Sequence, residues 1–148
     1  TEVPDMAVIL EQVYPVEAGN YASAGQASTT IKRTLKQLGI NAEVLRRLSV
    51  ASYEVELNLV IHSMGGELLL QLEPDQITLI SRDVGPGIPN IEKAMTEGYS
   101  TANEEARTLG FGAGMGLPNM KRNATTFDIE SEVGKGTTIR MSFALDAQ

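Results

Sequence analysis

Glycine is concentrated in the second half of this 148-residue chain, where nine of the fourteen glycines lie at or beyond Gly85. Most of them fall into three compact groups, at Gly85–Gly87, Gly110–Gly116 and Gly134–Gly136. Glycine permits positive φ and lets main-chain N–H groups approach a bound anion. Each group taken alone favours a simple turn between regular elements, and an anion-binding loop is the alternative.

Between these groups the hydrophobic periodicity predicts short strands and helices. Strands are expected at 6–17, 67–73, 77–83, 127–131 and 137–145, and helices at 28–38, 42–63, 90–98 and 117–126. Ser28 is expected to cap the first helix, which presents Ile31, Leu35 and Leu38 on one face, and Gly39 to end it. Together these elements predict one α+β domain over residues 1–148, a two-layer sandwich with a mostly antiparallel sheet.

The composition excludes several classes of function. Twelve Lys and Arg against nineteen Asp and Glu give a net charge of -7, which argues against binding to nucleic acid or to an anionic membrane. The chain has no cysteine and a single histidine, so thiolate nucleophiles, disulfides and multi-histidine metal sites are excluded. Because no apolar stretch approaches the roughly 20 residues that span a bilayer and no signal peptide is evident, we expect a cytoplasmic protein.

The predicted long helix carries Glu54, Asn58 and His62 at intervals of four residues. This spacing places the three side chains on one face of the helix, beside its apolar stripe of Leu45, Leu48, Ser52, Val55 and Leu59. A carboxylate in this setting can take a proton from a nucleophile, and an amide oxygen can ligate Mg²⁺. The alternative interpretation is a solvated polar edge.

The chain contains neither a P-loop nor a dinucleotide-binding fingerprint. It does contain four short sequence patterns that follow one another along its length. They are Glu54-x-x-x-Asn58, Asp83-x-Gly85-x-Gly87, Gly110-x-Gly112-x-Gly114-x-Gly116 and Gly134-x-Gly136-Thr137. Their order and spacing over about residues 28–145 resemble the motif series of the gyrase, chaperone, histidine-kinase and mismatch-repair (GHKL) ATPase superfamily. The segments at 83–89, 98–101 and 116–122 most resemble the small bacterial serine kinases that act as anti-sigma factors or partner-switching kinases.

This resemblance implies a Bergerat-type fold with ATP and Mg²⁺ as cofactors. It makes Glu54 the general base and Asn58 a ligand of Mg²⁺. It makes Asp83 the acceptor for the adenine amino group, with Thr137 supporting that contact. Gly85 and Gly87 would let the chain pass close to the base, and the phosphates would be held by Gly110, Gly112, Gly114, Gly116 and Leu117. His62 either contacts phosphate or is a structural histidine.

The same resemblance implies an ATP-dependent serine/threonine protein kinase that phosphorylates a small antagonist protein. Its partners would be that antagonist, a sigma factor or both, and a homodimer is left open. The alternative function is a non-catalytic ATP/ADP-binding switch that controls a protein interface. Residues 99–116, polar and rich in glycine, are expected to form a nucleotide-dependent lid.

Overall fold

The computed structural model describes residues 8–96 and 116–145. This part of the chain forms the following elements in order: β1 (Leu10–Val16), a 3-10 turn (Tyr21–Ser23), α1 (Gln26–Gln37), α2 (Ala42–His62), β2 (Gly66–Leu72), β3 (Gln76–Asp83), α3 (Ile91–Ala94), α4 (Gly116–Asn123), β4 (Thr126–Glu132) and β5 (Gly136–Ala144). The described residues include no helix that is long and apolar enough to cross a bilayer.

The five strands form one sheet in the order β1-β2-β3-β5-β4, and all four pairings are antiparallel. Alternate residues point to one face, where the central strands contribute buried side chains that pack against the helices; these are Leu68, Leu70, Leu72, Ile77, Leu79, Ile139, Met141 and Phe143. The predicted α+β sandwich, with helices packed on one face of the sheet, is therefore confirmed.

Helix α2 is the central helix of the core. Its predicted boundaries and its apolar stripe are confirmed, since Leu48, Val55 and Leu59 are fully or almost fully buried. Asn41 begins the helix, because its side-chain oxygen accepts hydrogen bonds from the N–H groups of Glu43 and Val44.

The start of α1 differs from the prediction. The helix begins at Gln26 and is preceded by Gly25, so Ser28 lies inside the first turn and is not the N-cap. The Ser28 hydroxyl donates to the carbonyl oxygen of Gly25 at 3.1 Å. The capping acceptor comes instead from another helix: the carboxylate of Glu56 on α2 accepts hydrogen bonds of 2.9–3.2 Å from the N–H groups of Gly25, Ala27 and Ser28.

Gly39 ends α1 as predicted, whereas Leu38 does not share the buried face of Ile31 and Leu35. Gly39 adopts a φ of +83°, and the N–H groups of Gly39 and Ile40 bond back to the carbonyls of Lys36 and Leu35. This Schellman arrangement requires a left-handed residue, which glycine supplies. Leu38 is the C-cap and is 53% exposed, so its assignment to the buried face was wrong.

Smaller differences concern the ends of three other elements. Helix α3 ends at Ala94, and Gly98, where it was expected to end, lies outside the described residues. Helix α4 ends at Asn123, so that Thr126 already belongs to β4. Strand β1 begins at Leu10, and residues 1–7, which include part of the expected first strand, are outside the described part.

Replacing Glu56 tests how far its buried carboxylate stabilises the packing of α1 on α2. Glu56 is 2% exposed, so Glu56→Ala leaves buried N–H groups of the α1 terminus without an acceptor. We expect a loss of about 3 kcal/mol in the free energy of unfolding, measured by urea denaturation. Glu56→Gln should lose less, since it keeps one oxygen acceptor. Glu130→Gln, on the exposed side of β4, should change stability by under about 0.5 kcal/mol and serves as the matched control.

Candidate functional site

The first group of candidate residues lies where α2 contacts α4. Glu54 and Asn58 are one turn apart on α2, and both are half-buried. Gly116, the first residue of α4, lies directly opposite: a methyl group at this position would be 3.5 Å from Oε1 of Glu54 and 3.7 Å from Oδ1 of Asn58. The structure therefore brings three of the sequence-predicted residues together, with one oxygen of each α2 side chain facing the same glycine.

A residue absent from the predicted site, Asn119, completes this group. Its Nδ2 donates to Oε2 of Glu54 at 3.0 Å, and its Oδ1 accepts a hydrogen bond of 2.7 Å from Nη2 of Arg122. The two oxygens of Glu54 thus have different surroundings. Oε2 is bound to an amide, whereas Oε1 faces Gly116 beside Asn58.

The second group lies at one end of the sheet, on its helix-covered face. Asp83 ends β3, and its Oδ1 accepts a hydrogen bond of 3.0 Å from the main-chain N–H of Thr137 on β5. The Thr137 hydroxyl is 2.9 Å from the Ser131 hydroxyl of β4, and Ser131 also accepts a hydrogen bond from the N–H of Ile88 at 2.7 Å. Burial raises the pKa of Asp83 above its usual value, and the N–H of Thr137 opposes this rise.

Glycines at the ends of β3 and β5 allow the loops around Asp83 to pack without side chains. A methyl group on Gly136 would collide with the main-chain carbonyl oxygen of Asp83, and one on Gly87 would approach the main chain of Glu132 to 2.5 Å. Gly85 lies against the end of α2. A methyl group added at Gly85 would be 3.3 Å from Cα of Ser63 and 3.6 Å from Oδ1 of Asp83. Gly85 thus borders the Asp83 carboxylate, whereas Gly87 packs against the β4–β5 turn.

The other predicted site residues have more varied placements. The side chain of Leu117 is buried in the core and so does not contact a phosphate. His62 lies in the last turn of α2, and desolvation by burial lowers its pKa below the usual value. The expected lid lies outside the described residues, apart from Gly116. The same is true of three predicted phosphate-binding residues, Gly110, Gly112 and Gly114.

Ser131 and Asn119 were missed by the sequence analysis for different reasons. Ser131 was detectable, because counting the register back from the Gly134–Gly136 turn places it opposite Thr137, as observed. Asn119 lies in the segment 116–122, which contributed to the family resemblance, but nothing in that segment indicated a contact with Glu54. Its contact with Glu54 joins residues 65 positions apart and depends on how α4 packs on α2.

The two groups have complementary chemistry. Asp83 offers a partly buried acceptor for a donor on a planar ligand, and Glu54 offers a carboxylate oxygen that can receive a proton. Within 8–96 and 116–145 there is no group of three or more His, Asp or Glu side chains that could hold a metal ion. A cation held through Asn58 would take further oxygen ligands from water or from a bound anion, as Mg²⁺ commonly does.

Comparison with known proteins gives concordant matches. The family model described as histidine kinase-, DNA gyrase B- and HSP90-like ATPase matches residues 43–147. The serine/threonine-protein kinase RsbT of Bacillus subtilis is 31% identical over 113 residues, which cover 74% of this chain and 79% of RsbT. An anti-sigma F factor of Thermoanaerobacter is 31% identical over 132 residues, covering 83% of this chain and 89% of the relative. One of Clostridium acetobutylicum is 32% identical over 126 residues, covering 80% and 85%. The superfamily resemblance drawn from the four motifs is confirmed.

The lowered pKa of His62 predicts how stability depends on pH. In the unfolded chain histidine has a pKa near 6.5, so below that pH the unfolded state binds a proton that the folded state resists. His62 therefore stabilises the fold fully above about pH 6.5, and this contribution is lost as the pH falls through its lower folded pKa. The free energy of unfolding, measured between pH 7.5 and 5.5, should fall more in the wild type than in His62→Gln. Parallel curves for the two proteins would contradict the assignment.

Proposed function

Because the chain belongs to the family of histidine kinase-, DNA gyrase B- and HSP90-like ATPases, we propose that it is an ATP-dependent serine/threonine protein kinase that phosphorylates a small antagonist protein. The relatives support the class of activity, since one is named a serine/threonine-protein kinase and others are named anti-sigma F factors. The partner proposed for this chain is an antagonist protein, a sigma factor or both.

The observation that carries the proposal is the convergence of Glu54 and Asn58 on Gly116. The γ-phosphate of ATP is proposed to lie here, where the first turn of α4 offers main-chain N–H groups to an anion. Mg²⁺ held by Oδ1 of Asn58 and by phosphate oxygens would offset the charge that develops on the transferred phosphoryl group.

In the proposed reaction, Glu54 accepts the proton of a serine or threonine hydroxyl through Oε1. The hydroxyl oxygen forms a bond to the γ-phosphorus while the bond from that phosphorus to the β,γ-bridging oxygen breaks. The electron pair of the broken bond leaves with ADP. The products are a phosphorylated acceptor, ADP and a protonated Glu54, which then releases its proton to water.

The adenine base is proposed to lie at the second group of residues, with its amino group donating to Asp83. Oδ1 of Asp83 already binds the N–H of Thr137, which leaves Oδ2 for the adenine amino group. Ser131 supports this arrangement by contacting the Thr137 hydroxyl at 2.9 Å. Both groups flank α2, because Gly85, beside Asp83, packs on the end of that helix.

Asp83→Asn tests the adenine site. An amide presents an N–H group or a single oxygen where a carboxylate offered two acceptors, and a hydrogen bond to a charged group contributes about 1.5–3 kcal/mol. We therefore expect the affinity for ATP to fall about 10- to 100-fold by calorimetry, in a protein that still folds. Asp128→Asn, on the exposed face of β4, is the matched control. Unchanged ATP affinity in folded Asp83→Asn would place the adenine elsewhere.

Glu54→Gln separates chemistry from binding. Glutamine cannot accept the hydroxyl proton, so transfer of labelled phosphate from ATP to an antagonist protein encoded nearby should fall about 10²- to 10⁴-fold. Binding of Mg-ATP should be retained, and Glu130→Gln should behave like the wild type. If the wild type transfers no phosphate to any candidate but changes its affinity for them with ATP, the non-catalytic switch is the correct function.

A further inference from the structure

We propose that Asn119 is a positioning residue for the general base, a role that rests on the proposed function. Its amide holds Oε2 of Glu54, and in doing so it directs Oε1 toward the acceptor hydroxyl. The inference concerns a contact between two helices that the four sequence motifs do not contain, since Asn119 lies three residues beyond the last glycine of the Gly110–Gly116 run.

The hydrogen bonds around Asn119 fix the orientation of its amide. Nδ2 donates to the Glu54 carboxylate at 3.0 Å, and Oδ1 accepts from the guanidinium of Arg122 at 2.7 Å. A rotation of the amide by 180° would place its oxygen against the carboxylate and its N–H groups against the guanidinium, which are two repulsive contacts. The amide is therefore held with its donor toward Glu54.

A glutamate carboxylate needs such a partner to keep one orientation. The last torsion of a glutamate side chain is broad and has no sharp rotamer, so packing of the chain alone leaves the two oxygens free to exchange places. The bond from Asn119 removes this freedom. Because the Asn119 N–H occupies Oε2, the oxygen that remains to accept a proton from a substrate is Oε1. This oxygen faces Gly116 beside Oδ1 of Asn58.

Helix α4 thus supplies two features to the same site. Gly116 leaves space next to Oε1 of Glu54, and Asn119, one turn later, binds Oε2. Because both residues lie on one short helix, the position of α4 relative to α2 sets both the space for the γ-phosphate and the direction of the base. Small errors in such an alignment are costly, since displacements of about 1 Å can reduce rates 10²-fold.

The test compares Asn119→Ala, the isosteric Asn119→Asp and the matched control Asn123→Ala, which lies on the same helix. The kcat and KM of phosphate transfer from Mg-ATP to the antagonist protein are measured, and Mg-ATP affinity is measured by calorimetry. For Asn119→Ala we expect kcat to fall about 10- to 100-fold with the KM for ATP unchanged.

Asn119→Asp should lower kcat at least as much as Asn119→Ala, because it replaces the amide donor to Oε2 of Glu54 with an oxygen that can only accept. This variant keeps the shape of the side chain, so it tests the proposal even if Asn119→Ala folds poorly. Asn123→Ala should match the wild type in kcat and in KM. In the Glu54→Gln background, Asn119→Ala should cause no further loss, since a positioning residue acts only through the base it positions.

The outcomes distinguish this inference from the function on which it rests. If the wild type is active and both Asn119 variants keep its kcat and KM, the positioning role is overturned and the kinase proposal stays intact. Additive losses in Asn119→Ala and Glu54→Gln would also overturn it, because they would mean that Asn119 acts independently of the base. A wild type that binds Mg-ATP and transfers no phosphate would overturn the kinase proposal, and the positioning role with it.

Discussion

The buried carboxylate of Glu56 constrains how the helices of this protein pack. A charged group is expensive to bury unless hydrogen bonds replace its hydration, and Glu56 obtains three from the start of α1. These bonds fix the rotation of α2 about its axis. Successive residues on a helix are 100° apart, so once Glu56 faces α1 and Val55 faces the core, Glu54 and Asn58 are directed to α4. Adjacent residues of α2 thus contact α1, the hydrophobic core and α4.

Most of the fold could be predicted from the sequence because its signals are local. The alternation of leucines in β2, the Pro74-Asp75 turn and the apolar stripe of α2 each lie within one short segment. The start of α1 could not be predicted in this way. Ser28 has the properties of an N-cap, but the actual acceptor comes from Glu56, 28 residues away in sequence, and a distant carboxylate leaves no mark on the local pattern.

The candidate site also combines features that are local in sequence with features that depend on tertiary contacts. The motif series predicts Glu54, Asn58, Asp83 and Thr137 as site residues, because each lies in a pattern of fixed spacing, and the strand register places Ser131 beside Thr137. The direction of each oxygen could not be predicted. It depends on which groups approach a carboxylate from other elements, such as Asn119 at Glu54 and the N–H of Thr137 at Asp83. Sequence motifs therefore specify the residue types at the site, and tertiary packing specifies how they are oriented.

The environment of Asp83 connects stability with ligand binding. Its pKa is raised by burial, so its contribution to stability is fully present below the unfolded pKa and is lost as the pH rises through the folded pKa. The ionised form of the carboxylate carries a desolvation cost that the N–H of Thr137 only partly offsets. In the proposed adenine site, the amino group of the base would bring a second donor to Asp83 and so remove part of this cost on binding.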